Sequence, residues 1–582
     1  MASAEMESPS RKRLHQSAVL VILVIHSLLL GGIAATNAPV FDEIAHLPSG
    51  LSHWLLGDFD LYRVNPPLMR MIASIPLLIM NPECDWMVSH GPYDRPEFEV
   101  GNRFMHNNSK MIFWYFTLCR WMQIPVSMFG GWICYRWATE LYGHRSGFLA
   151  LILWSFCPNT LAWGATITPD IGATSFGVAA GYAFWRWMKA ANWPSALIAG
   201  LALGLSLLSK STWIILLGLW PLLWGGQRVT QKNGGQVFLQ IKQLVCILSL
   251  GLYLLNLGYG FEKSFQPLES FEFISQTLGG MDSQTTPGNR FRQTWQGHVP
   301  IPLPANYLQG IDVQKYDFER GKWSYLRGEH KVGGWWYYYL YAFLVKSTMG
   351  SLLLGAIALG IAGFSRNHAR CGQKELVLLA PALVVLALVS SQVGFNRYLR
   401  YALPIIPFVY IFISGLVQRG CRQRGIASAF CVLAVVGGMI ESLSIYPHSM
   451  SFFNLAVGGP LNGPRHLLDA NIDWGQDLLQ LKRFLQRHPD VQSIRLAFYG
   501  AADPKLAGFH FETFSIPESA SDESRNDQEW YAVSVNHIYG YRRYDGVKQE
   551  LDCFQKRKPD AMAGYSIYLY LLSRTQLMEM LK

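Results

Sequence analysis

The chain has 582 residues, of which 50% are hydrophobic, 14% aromatic and only 15% charged. Ordinary globular proteins carry roughly 25% charged residues, so this composition is typical of a membrane protein and argues against a disordered chain or a conventional cytosolic enzyme. The net charge of +10 would indicate a nucleic-acid partner only if the basic residues formed one patch. The nine cysteines include no CxxC pair, so they favour neither a disulfide scaffold nor a zinc ribbon.

Long apolar stretches recur through the first three quarters of the chain, and a helix needs about 20 such residues to cross a bilayer. We count about eleven transmembrane helices, near 17–36, 112–135, 147–163, 171–188, 195–209, 211–226, 243–261, 336–364, 376–394, 403–417 and 426–446. The sequence therefore predicts an all-α, multi-span membrane bundle, although the apolar residues around 200–225 can also be divided differently.

Lysine and arginine residues accumulate in alternate loops between these predicted spans. The basic positions are Arg11, Lys12, Arg13, Arg136, Arg145, Arg186, Lys189, Arg228, Lys232, Lys242, Arg366, Arg370, Lys374, Arg419, Arg422 and Arg424. Because basic loops stay in the cytoplasm, this pattern places the N-terminus inside and explains the net charge without a nucleic-acid partner. Three large segments, 37–111, 262–335 and 447–582, then lie on the outer face. Alternatively, the first span is a signal peptide that ends in the small residues Ala34-Ala35-Thr36.

The region 447–582 differs in character from the apolar bundle. It contains one amphipathic helical stretch and three strand-like runs, at 475–488, 494–499, 530–535 and 566–572. The sequence therefore predicts two domains. A transmembrane domain at 1–446 includes the two large outer loops, and an extracytoplasmic α/β domain follows at 447–582. The polar segment 515–529 has no apolar periodicity and is predicted to be a mobile loop.

Two adjacent carboxylates, Asp42 and Glu43, follow the first predicted span directly. At the outer membrane interface they could act as a general base, or hold a cation, for a substrate that lies in the bilayer. They could equally complement the dipole at a helix N-terminus. His46 follows one helical turn after Asp42, but neither it nor His53 has the second spaced ligand pair that a metal site requires.

A third carboxylate, Asp170, follows a proline at the outer end of a predicted span. It could cap that helix, or it could meet Asp42 and Glu43 in one cavity, because all three are predicted on the same face. Asn65 precedes two prolines that break the chain before an amphipathic helix at 68–80. That helix could lie in the interface plane and wall off a site, or only pack on the bundle.

Five basic residues lie within or beside apolar runs on the predicted outer side, namely Arg120, Lys210, Lys346, Arg397 and Arg400. A charge buried in lipid costs several kcal/mol, so such residues usually face a cavity or a partner. Lys210 lies in a tight turn between two predicted spans, where a phosphate-bearing ligand would explain it. Snorkelling to the membrane surface is the alternative, and it is the favoured interpretation for Arg120. Arg397 and Arg400 could instead only anchor the span that follows them.

Polar residues are dense in the tail segment LDANIDWGQDL, which contains Asp469, Asp473, Trp474, Gln476 and Asp477. Carboxylate, amide and indole groups together suit sugar recognition. The competing interpretation, which we favour for Asp473, is that it caps the helix that follows.

Several motifs along the chain are similar to those of a known enzyme family. They are FDEIAHLPSG with GDF and NPPL downstream, ITPD, GLALGLSLLSKST, GEHKVGGWWYYYLYAFLVKS, RYLRYALPIIP, SFFNLAVGGP and DANIDWGQDL. With them the chain resembles the GT-C membrane glycosyltransferases, in the branch of the protein O-mannosyltransferases and the bacterial lipid A aminoarabinose transferases. The resemblance covers nearly the whole chain, and the DE pair with the NPP motif is its most specific part.

The resemblance implies transfer of a sugar from a polyprenyl-phosphate carrier to an acceptor hydroxyl, on the extracytoplasmic face of a bacterial inner membrane. It implies Asp42 as the base, Glu43 as a residue that orients Asp42 or the acceptor, and Asp170 as a further acid of the site. Lys210 becomes the predicted ligand of the lipid phosphate, with Arg400 and Lys346 as weaker candidates. Contacts to the sugar or acceptor are predicted from His46, Asn65, Asp473 and Trp474. A single base and direct displacement would invert the anomeric carbon, and the use of a divalent cation is left open.

Other interpretations make different demands on the sequence. A flippase or transporter of polyprenol-linked glycans should show matching halves, and no internal repeat stands out. A receptor or scaffold would leave the charges beside the apolar runs unexplained. The chain has no region that resembles the lectin-like domain of eukaryotic O-mannosyltransferases, so a glycan, lipid or small polymer is favoured over a protein as the acceptor.

Overall fold

A computed structural model describes residues 9–581 except 89–94, 231–236, 282–285, 365–367, 421–425, 492, 516–527 and 542–550. The predicted mobile loop 515–529 falls mainly outside these described residues. The N-terminal half is helical, with α1 (Pro9–Thr36), α2 (Glu43–Leu56), α3 (Leu68–Met80), α4 (Pro96–Asn107), α5 (Ile112–Trp121), α6 (Ile124–Tyr142), α7 (His144–Ser155), α8 (Pro158–Gly164), α9 (Pro169–Ala190), α10 (Trp193–Ser209), α11 (Leu216–Thr230) and α12 (Val237–Gly258).

The middle of the chain continues the helical bundle after a segment of irregular structure. Its helices are α13 (Gln276–Gly279), α14 (Ala305–Glu319), α15 (Tyr338–Lys346), α16 (Met349–Phe364), α17 (His368–Ser391), α18 (Ile406–Ser414), α19 (Leu416–Gly420) and α20 (Ile426–Leu443). An antiparallel hairpin of β1 (Trp323–Leu326) and β2 (Glu329–Val332) lies between α14 and α15. Large buried tryptophans, among them Trp137, Trp187 and Trp220, fill the interior of the bundle.

Three helices of the described chain are long and apolar enough to cross a membrane, namely Pro9–Thr36, Val237–Gly258 and Leu399–Gln418. The pair α7 and α8, bent by 59°, would make a fourth. Other predicted spans are shorter or broken, and the stretch 112–135 is divided between α5 and α6. Apolar helices therefore occupy the predicted spans, while the number of about eleven crossings stays a prediction.

Helices α2, α3 and α4 form a compact layer in the segment 37–111, the predicted first outer loop. Two glycines allow the close approach of their backbones. A Cβ at Gly50 would lie 2.1 Å from the carbonyl oxygen of Arg70 on α3, and one at Gly101 would lie 2.2 Å from that of Ile44 on α2. Because α2 begins directly after Asp42, this packing fixes the direction in which the chain leaves the carboxylate.

Replacing Gly101 by Ala should therefore push α4 away from α2 and lower the unfolding temperature, at a cost of about 1–3 kcal/mol typical of overpacking. The matched control is Gly360→Ala on α16, where an added Cβ meets no atom within 4 Å. That change should be neutral or stabilising, since Ala is the better helix former. Thermal unfolding of both variants in lipid measures the difference, and equal unfolding temperatures would contradict the close approach of α4 and α2.

The C-terminal region contains a mixed five-stranded sheet. Its elements are α21 (Leu478–Arg487), β3 (Ile494–Ala497), β4 (Glu512–Thr513), β5 (Glu529–Ser534), α22 (Val535–Ile538), β6 (Ala561–Ala563), β7 (Ile567–Leu572) and α23 (Arg574–Leu581). The strand order is β4-β3-β5-β7-β6, with β3 parallel to β4 and β5, and β7 antiparallel to β5 and β6. The three predicted strand runs and the predicted helix coincide with β3, β5, β7 and α21.

The chain before α21 is hydrogen-bonded to the segment that carries the first carboxylates. The amide of Ala38 donates to the carbonyl of Gln476 at 2.8 Å, and the amide of Phe41 donates to the carbonyl of Trp474 at 3.2 Å. The C-terminal region thus helps to position the start of the first outer loop. Its division from the bundle at 446 into a separate domain stays a prediction.

Candidate active site

A cavity of about 210 Å³ lies where several distant segments of the chain meet. It is lined by Phe41, Asp42, Tyr62, Val64, Asn65, Arg95, Phe98, Pro169, Asp170, Lys210, Gln314, Asp317, Phe318, Lys322, Phe395, Arg397, Tyr398, Arg400, Tyr401, Trp474 and Tyr499. The first outer loop, the start of α9, the end of α10, the region 314–322, the segment 395–401 and the C-terminal region all contribute. Six of the predicted site residues line this one cavity, namely Asp42, Asn65, Asp170, Lys210, Arg400 and Trp474.

The centre of the cavity is a chain of alternating charges. Asp42 accepts a hydrogen bond of 2.6 Å from Nη2 of Arg400, whose Nη1 lies 3.5 Å from Oδ2 of Asp170. The other oxygen of Asp170 accepts a bond of 2.6 Å from Nζ of Lys210. Each cation therefore neutralises a carboxylate that would otherwise be costly to bury.

Local structure explains why these side chains meet. Pro169 starts α9 and leaves Asp170 in its first turn, where a carboxylate complements the helix dipole. Lys210 has extended backbone angles at the end of α10, so it leaves the helix beside Asp170. Asp42 takes the N-cap position of α2, but its side chain makes no capping hydrogen bond. It bonds to Arg400 instead.

Aromatic rings surround the Arg400 guanidinium. Its central carbon lies 4.4 Å from the ring centroid of Trp474 and 4.7 Å from that of Tyr398. The rings of Trp163 and Tyr401 follow at 5.4 Å and 5.8 Å. A planar, weakly hydrated guanidinium is well suited to such faces, so the rings hold Arg400 in the cavity wall without neutralising its charge.

The second carboxylate of the pair, Glu43, points away from the cavity. It is fully buried, and its oxygens accept from Nε and Nη2 of Arg120 at 2.8 and 2.5 Å. They also accept from the backbone amides of Val40 and Ile167 at 2.9 and 2.7 Å. Its contacts are those of a residue that fixes the backbone beside Asp42.

Arg120 is 1% exposed, so the interpretation that it snorkels to the membrane surface is wrong. Besides Glu43, its guanidinium donates to the carbonyls of Ala34, Asn37 and Ala38 at 3.1, 2.7 and 2.8 Å. All five N–H donors of the group are thereby used. The Glu43–Arg120 pair clamps the link between α1 and α2.

A second cavity, of about 260 Å³, adjoins the first. The two share Lys210, Gln314, Phe318 and Tyr401. Apolar side chains dominate the remainder of its wall, among them Ile214, Ile215, Ile311, Leu388 and Val389. The ammonium group of Lys210 therefore lies between a polar chamber and an apolar one.

Two other predicted site residues lie outside both linings. His46 is buried on α2 with its ring stacked 4.6 Å from the ring of Tyr62 and its Nε2 3.4 Å from the Tyr62 hydroxyl. Burial lowers the pKa of His46 well below its ordinary value, and Arg70 adds to the effect, so the ring is neutral. Lys346 donates to the carbonyls of Met450 and Asn471 at 2.7 and 2.5 Å. Its position indicates a tie between α15 and the tail.

Asp473 is also buried outside the cavity, and the expectation that it caps the following helix is wrong. The N-cap of α21 is Asp477, while Asp473 accepts from the amide of Gly475 at 3.1 Å and contacts the hydroxyl of Ser534. Burial raises the pKa of Asp473 to about 8, and the nearby Asp477 and Asp469 act in the same direction. At neutral pH this carboxyl is therefore largely protonated in the folded chain.

This raised pKa makes stability depend on pH. The unfolded chain releases the proton near pH 3.8, whereas the folded chain keeps it until about pH 8. Between these values the folded state binds more protons, so this group makes stability fall as the pH rises. Asp473→Asn should flatten that part of the profile, because the amide carries no charge at any of these pH values. Unfolding temperatures of both proteins measured across this range test the effect, and parallel profiles would contradict it.

Sequence reasoning missed a group of residues from 314–322 and the first outer loop that line the cavity. Asp317 accepts from Nζ of Lys322 at 2.5 Å, and its Oδ2 lies 3.7 Å from Nη1 of Arg95. Tyr499 reaches the cavity from the C-terminal region. The only available signal was the concentration of opposite charges in a predicted outer loop, which is ordinary for a solvated surface.

A metal ion needs several free donor groups in one place. Among the residues that the structure describes, no group of three or more His, Cys, Asp or Glu side chains is arranged to hold one. The cavity carboxylates Asp42, Asp170 and Asp317 are instead in contact with arginine or lysine nitrogens.

Comparison with known proteins locates a family match in the bundle. Residues 115–251 match the family described as dolichyl-phosphate-mannose-protein mannosyltransferase. The matched segment runs from α5 to α12 and contains Arg120, Asp170 and Lys210. The predicted resemblance to the GT-C membrane glycosyltransferases is confirmed by this match. No curated protein matches the chain.

Solved structures with a similar arrangement include two of ArnT from Cupriavidus metallidurans. The structure in the apo state has 11% identity and a TM-score of 0.45, covering 96% of this chain and 99% of that chain. The structure bound to undecaprenyl phosphate has 10% identity and a TM-score of 0.43, covering 95% and 97%. The oligosaccharyltransferase AglB from Archaeoglobus fulgidus, in complex with an inhibitory peptide and a dolichol-phosphate, has 13% identity and a TM-score of 0.38, covering 75% and 55%. None of these comparisons assigns a role to a residue of this chain.

Proposed function

We propose that this chain, which resembles the GT-C membrane glycosyltransferases and carries their family match at 115–251, is a membrane enzyme that transfers a sugar from a polyprenyl-phosphate carrier to an acceptor hydroxyl. The observation that carries the proposal is the line of charges Asp42, Arg400, Asp170 and Lys210, placed where a polar cavity meets an apolar one. A transfer between a lipid and a polar acceptor needs both environments side by side.

The donor is assigned to the junction of the two cavities. The apolar chamber suits the first isoprene units of a carrier, and its wall contains Ile214, Ile311 and Leu388. The phosphate would then lie beside Lys210, which lines both cavities, and Arg400, which lines the polar one. Both cations are buried and held by carboxylates. Asp170 serves as a positioning residue, since it contacts both cations from the floor of the cavity.

The proposed reaction needs one base and a stabilised leaving group. Asp42 takes the proton of the acceptor hydroxyl, whose oxygen forms a bond to the anomeric carbon while the bond between that carbon and the phosphate oxygen breaks. The electron pair of the broken bond remains on the polyprenyl phosphate, where Lys210 and Arg400 oppose the developing charge. A single displacement by an acceptor activated in this way inverts the anomeric carbon.

The sugar is assigned to the polar chamber, between its aromatic and amide groups. Trp474 and Tyr499 reach this chamber from the C-terminal region, and Asn65 reaches it from the first outer loop. Aromatic faces and amides are suited to the apolar and polar sides of a sugar ring. The proposal places this chamber on the extracytoplasmic face of a bacterial inner membrane, as the distribution of basic loops predicts.

The test is consumption of defined donors by the purified protein in lipid. Polyprenyl-phosphate mannose, glucose, galactose and arabinose-type sugars would each be supplied to the wild type, to Asp42→Asn and to Glu99→Gln. Glu99 lies on α4 with 64% of its side chain exposed and serves as the matched control. Release of polyprenyl phosphate reports turnover even without the natural acceptor, through slow hydrolysis.

We expect one donor to be consumed by the wild type and by Glu99→Gln but not by Asp42→Asn. If no donor is consumed, while one donor binds and is moved across a sealed vesicle membrane by all three proteins, the transport alternative replaces the enzyme.

A further inference from the structure

The guanidinium of Arg400 has one buried nitrogen, Nε, that none of its contacts uses. Nη2 bonds to Asp42 and Nη1 lies near Asp170, but Nε is buried and has no hydrogen-bond partner. An unsatisfied donor buried beside a cavity is costly, and such groups in native structures call for an explanation. The side chain is 7% exposed, so bulk water does not supply the missing partner.

The covalent geometry of arginine relates this unused donor to Asp42. In a planar guanidinium, Nε–H and one Nη2–H point in the same direction and form one edge of the donor fork. A phosphate accepts two parallel bonds from such an edge. A phosphate bound along this edge would satisfy Nε and would compete with Asp42 for Nη2, because two anions would then lie side by side at that nitrogen.

We propose that Arg400 is an exchange residue, which holds Asp42 until donor phosphate binds and then releases it as the base. The proposal rests on the function proposed above. The guanidinium, 2.6 Å from Oδ2 of Asp42, competes with an acceptor hydroxyl for that oxygen. When the donor binds, the guanidinium bonds to the phosphate instead of Asp42, so the base becomes available only while a lipid phosphate occupies the site.

The surroundings of Arg400 favour such an exchange over a static ion pair. The rings of Trp474 and Tyr398 contact the guanidinium at 4.4 and 4.7 Å and retain it in the cavity wall whichever anion it binds. Asp170 keeps a second anion 3.5 Å away, and Lys210 bonds to that carboxylate independently. Arg400 can therefore exchange Asp42 for phosphate while Asp170 stays beside it as a second counter-charge.

The exchange predicts a coupling between Asp42 and lipid-phosphate affinity. Because donor phosphate must displace Asp42, a neutral amide at this position should compete less well for Nη2, since bonds to a charged acceptor are about twice as strong. Asp42→Asn should therefore bind polyprenyl phosphate more tightly than the wild type, by roughly tenfold, or about 1.4 kcal/mol. The same variant loses turnover, so affinity and activity should change in opposite directions.

The experiment measures equilibrium binding of a polyprenyl phosphate without sugar, in nanodiscs of fixed lipid composition. The proteins are the wild type, Asp42→Asn, Arg400→Gln and the double variant, with Glu99→Gln as the control for a change in surface charge. The gain from Asp42→Asn should vanish in the Arg400→Gln background. If Arg400→Gln fails to fold, Arg400→Lys replaces it, because lysine lacks the Nε edge and should likewise remove the gain.

Unchanged or weaker binding by Asp42→Asn would overturn the exchange while leaving the proposed enzyme intact. A gain that persists without the arginine edge would also overturn it, because simple repulsion between Asp42 and phosphate would then explain the affinity. A wild type that neither binds polyprenyl phosphate nor consumes any donor would instead remove the proposed function itself.

Discussion

Asp42→Asn is expected to lower donor turnover by about 10²–10⁴-fold, the usual contribution of a positioned general base. The fold should survive the change. Asp42 makes no side-chain capping bond at the start of α2, and asparagine is an equally good residue at an N-cap. The amide oxygen can still accept from Arg400, and Asp170 remains 3.5 Å from the same guanidinium. The measurement is the rate of polyprenyl-phosphate release in lipid, with the unfolding temperature recorded for each protein.

The result decides between two roles for this carboxylate. A wild-type unfolding temperature with lost turnover would support Asp42 as the base. A variant that turns over at the wild-type rate would refute that role, whereas Glu99→Gln should keep the wild-type rate in every case because its side chain is 64% exposed.

Glu43→Gln is expected to cause a large loss of stability, whereas Asp42→Asn should lower turnover and leave stability unchanged. The carboxylate is fully buried and accepts four hydrogen bonds, two from Arg120 and one each from the amides of Val40 and Ile167. Glutamine replaces one acceptor by an NH₂ group that would face these donors, and it leaves the buried Arg120 without a counter-charge. Removing one partner of a buried ion pair costs about 3–5 kcal/mol. A sharp fall in unfolding temperature and in folded yield is the measurement.

The variant Glu99→Gln serves as the control, because it makes the same Glu→Gln change at an exposed position. Glu99→Gln removes only a surface pair with Arg103 at 3.0 Å, and such pairs contribute about 0–1 kcal/mol. If Glu43→Gln unfolds at the same temperature as this control but has lost turnover, the result would support the predicted role of Glu43 in orienting Asp42 or the acceptor.

The two neighbouring carboxylates illustrate how far the sequence could be interpreted. Their position after an apolar span, and the motif around them, predicted where the candidate site lies. The sequence could not show which of the two carboxylates lines the cavity and which is buried. Successive residues at the start of a helix point about 100° apart, because 3.6 residues complete a turn. Which of the two faces the cavity depends on how α2 packs, and Gly101 and Arg120 control that packing.

The charged residues beside apolar runs also show what the sequence predicts and what it leaves to the tertiary structure. Lys210 and Arg400 were recognised as residues that need a partner, and the structure brings both to Asp170. Lys346 and Arg120 are also basic residues beside apolar runs, but neither lines the cavity. Lys346 donates to two backbone carbonyls, and Arg120 pairs with Glu43 in the interior. The cost of burying a charge predicts that a partner exists, but it does not identify that partner.

Local properties of the chain were therefore determined by the sequence itself. The membrane class follows from hydropathy, and the strands and helix of the C-terminal region follow from short-range periodicity. The orientation is a prediction from the basic loops. The family resemblance was also visible in its motifs. Only the tertiary structure decided which charges meet, because Asp42 and Arg400 are 358 positions apart and no local pattern relates them. The pairing arises from the packing of α2, α9 and the segment 395–401 around one cavity. A buried charge there is costly unless an opposite charge lies beside it.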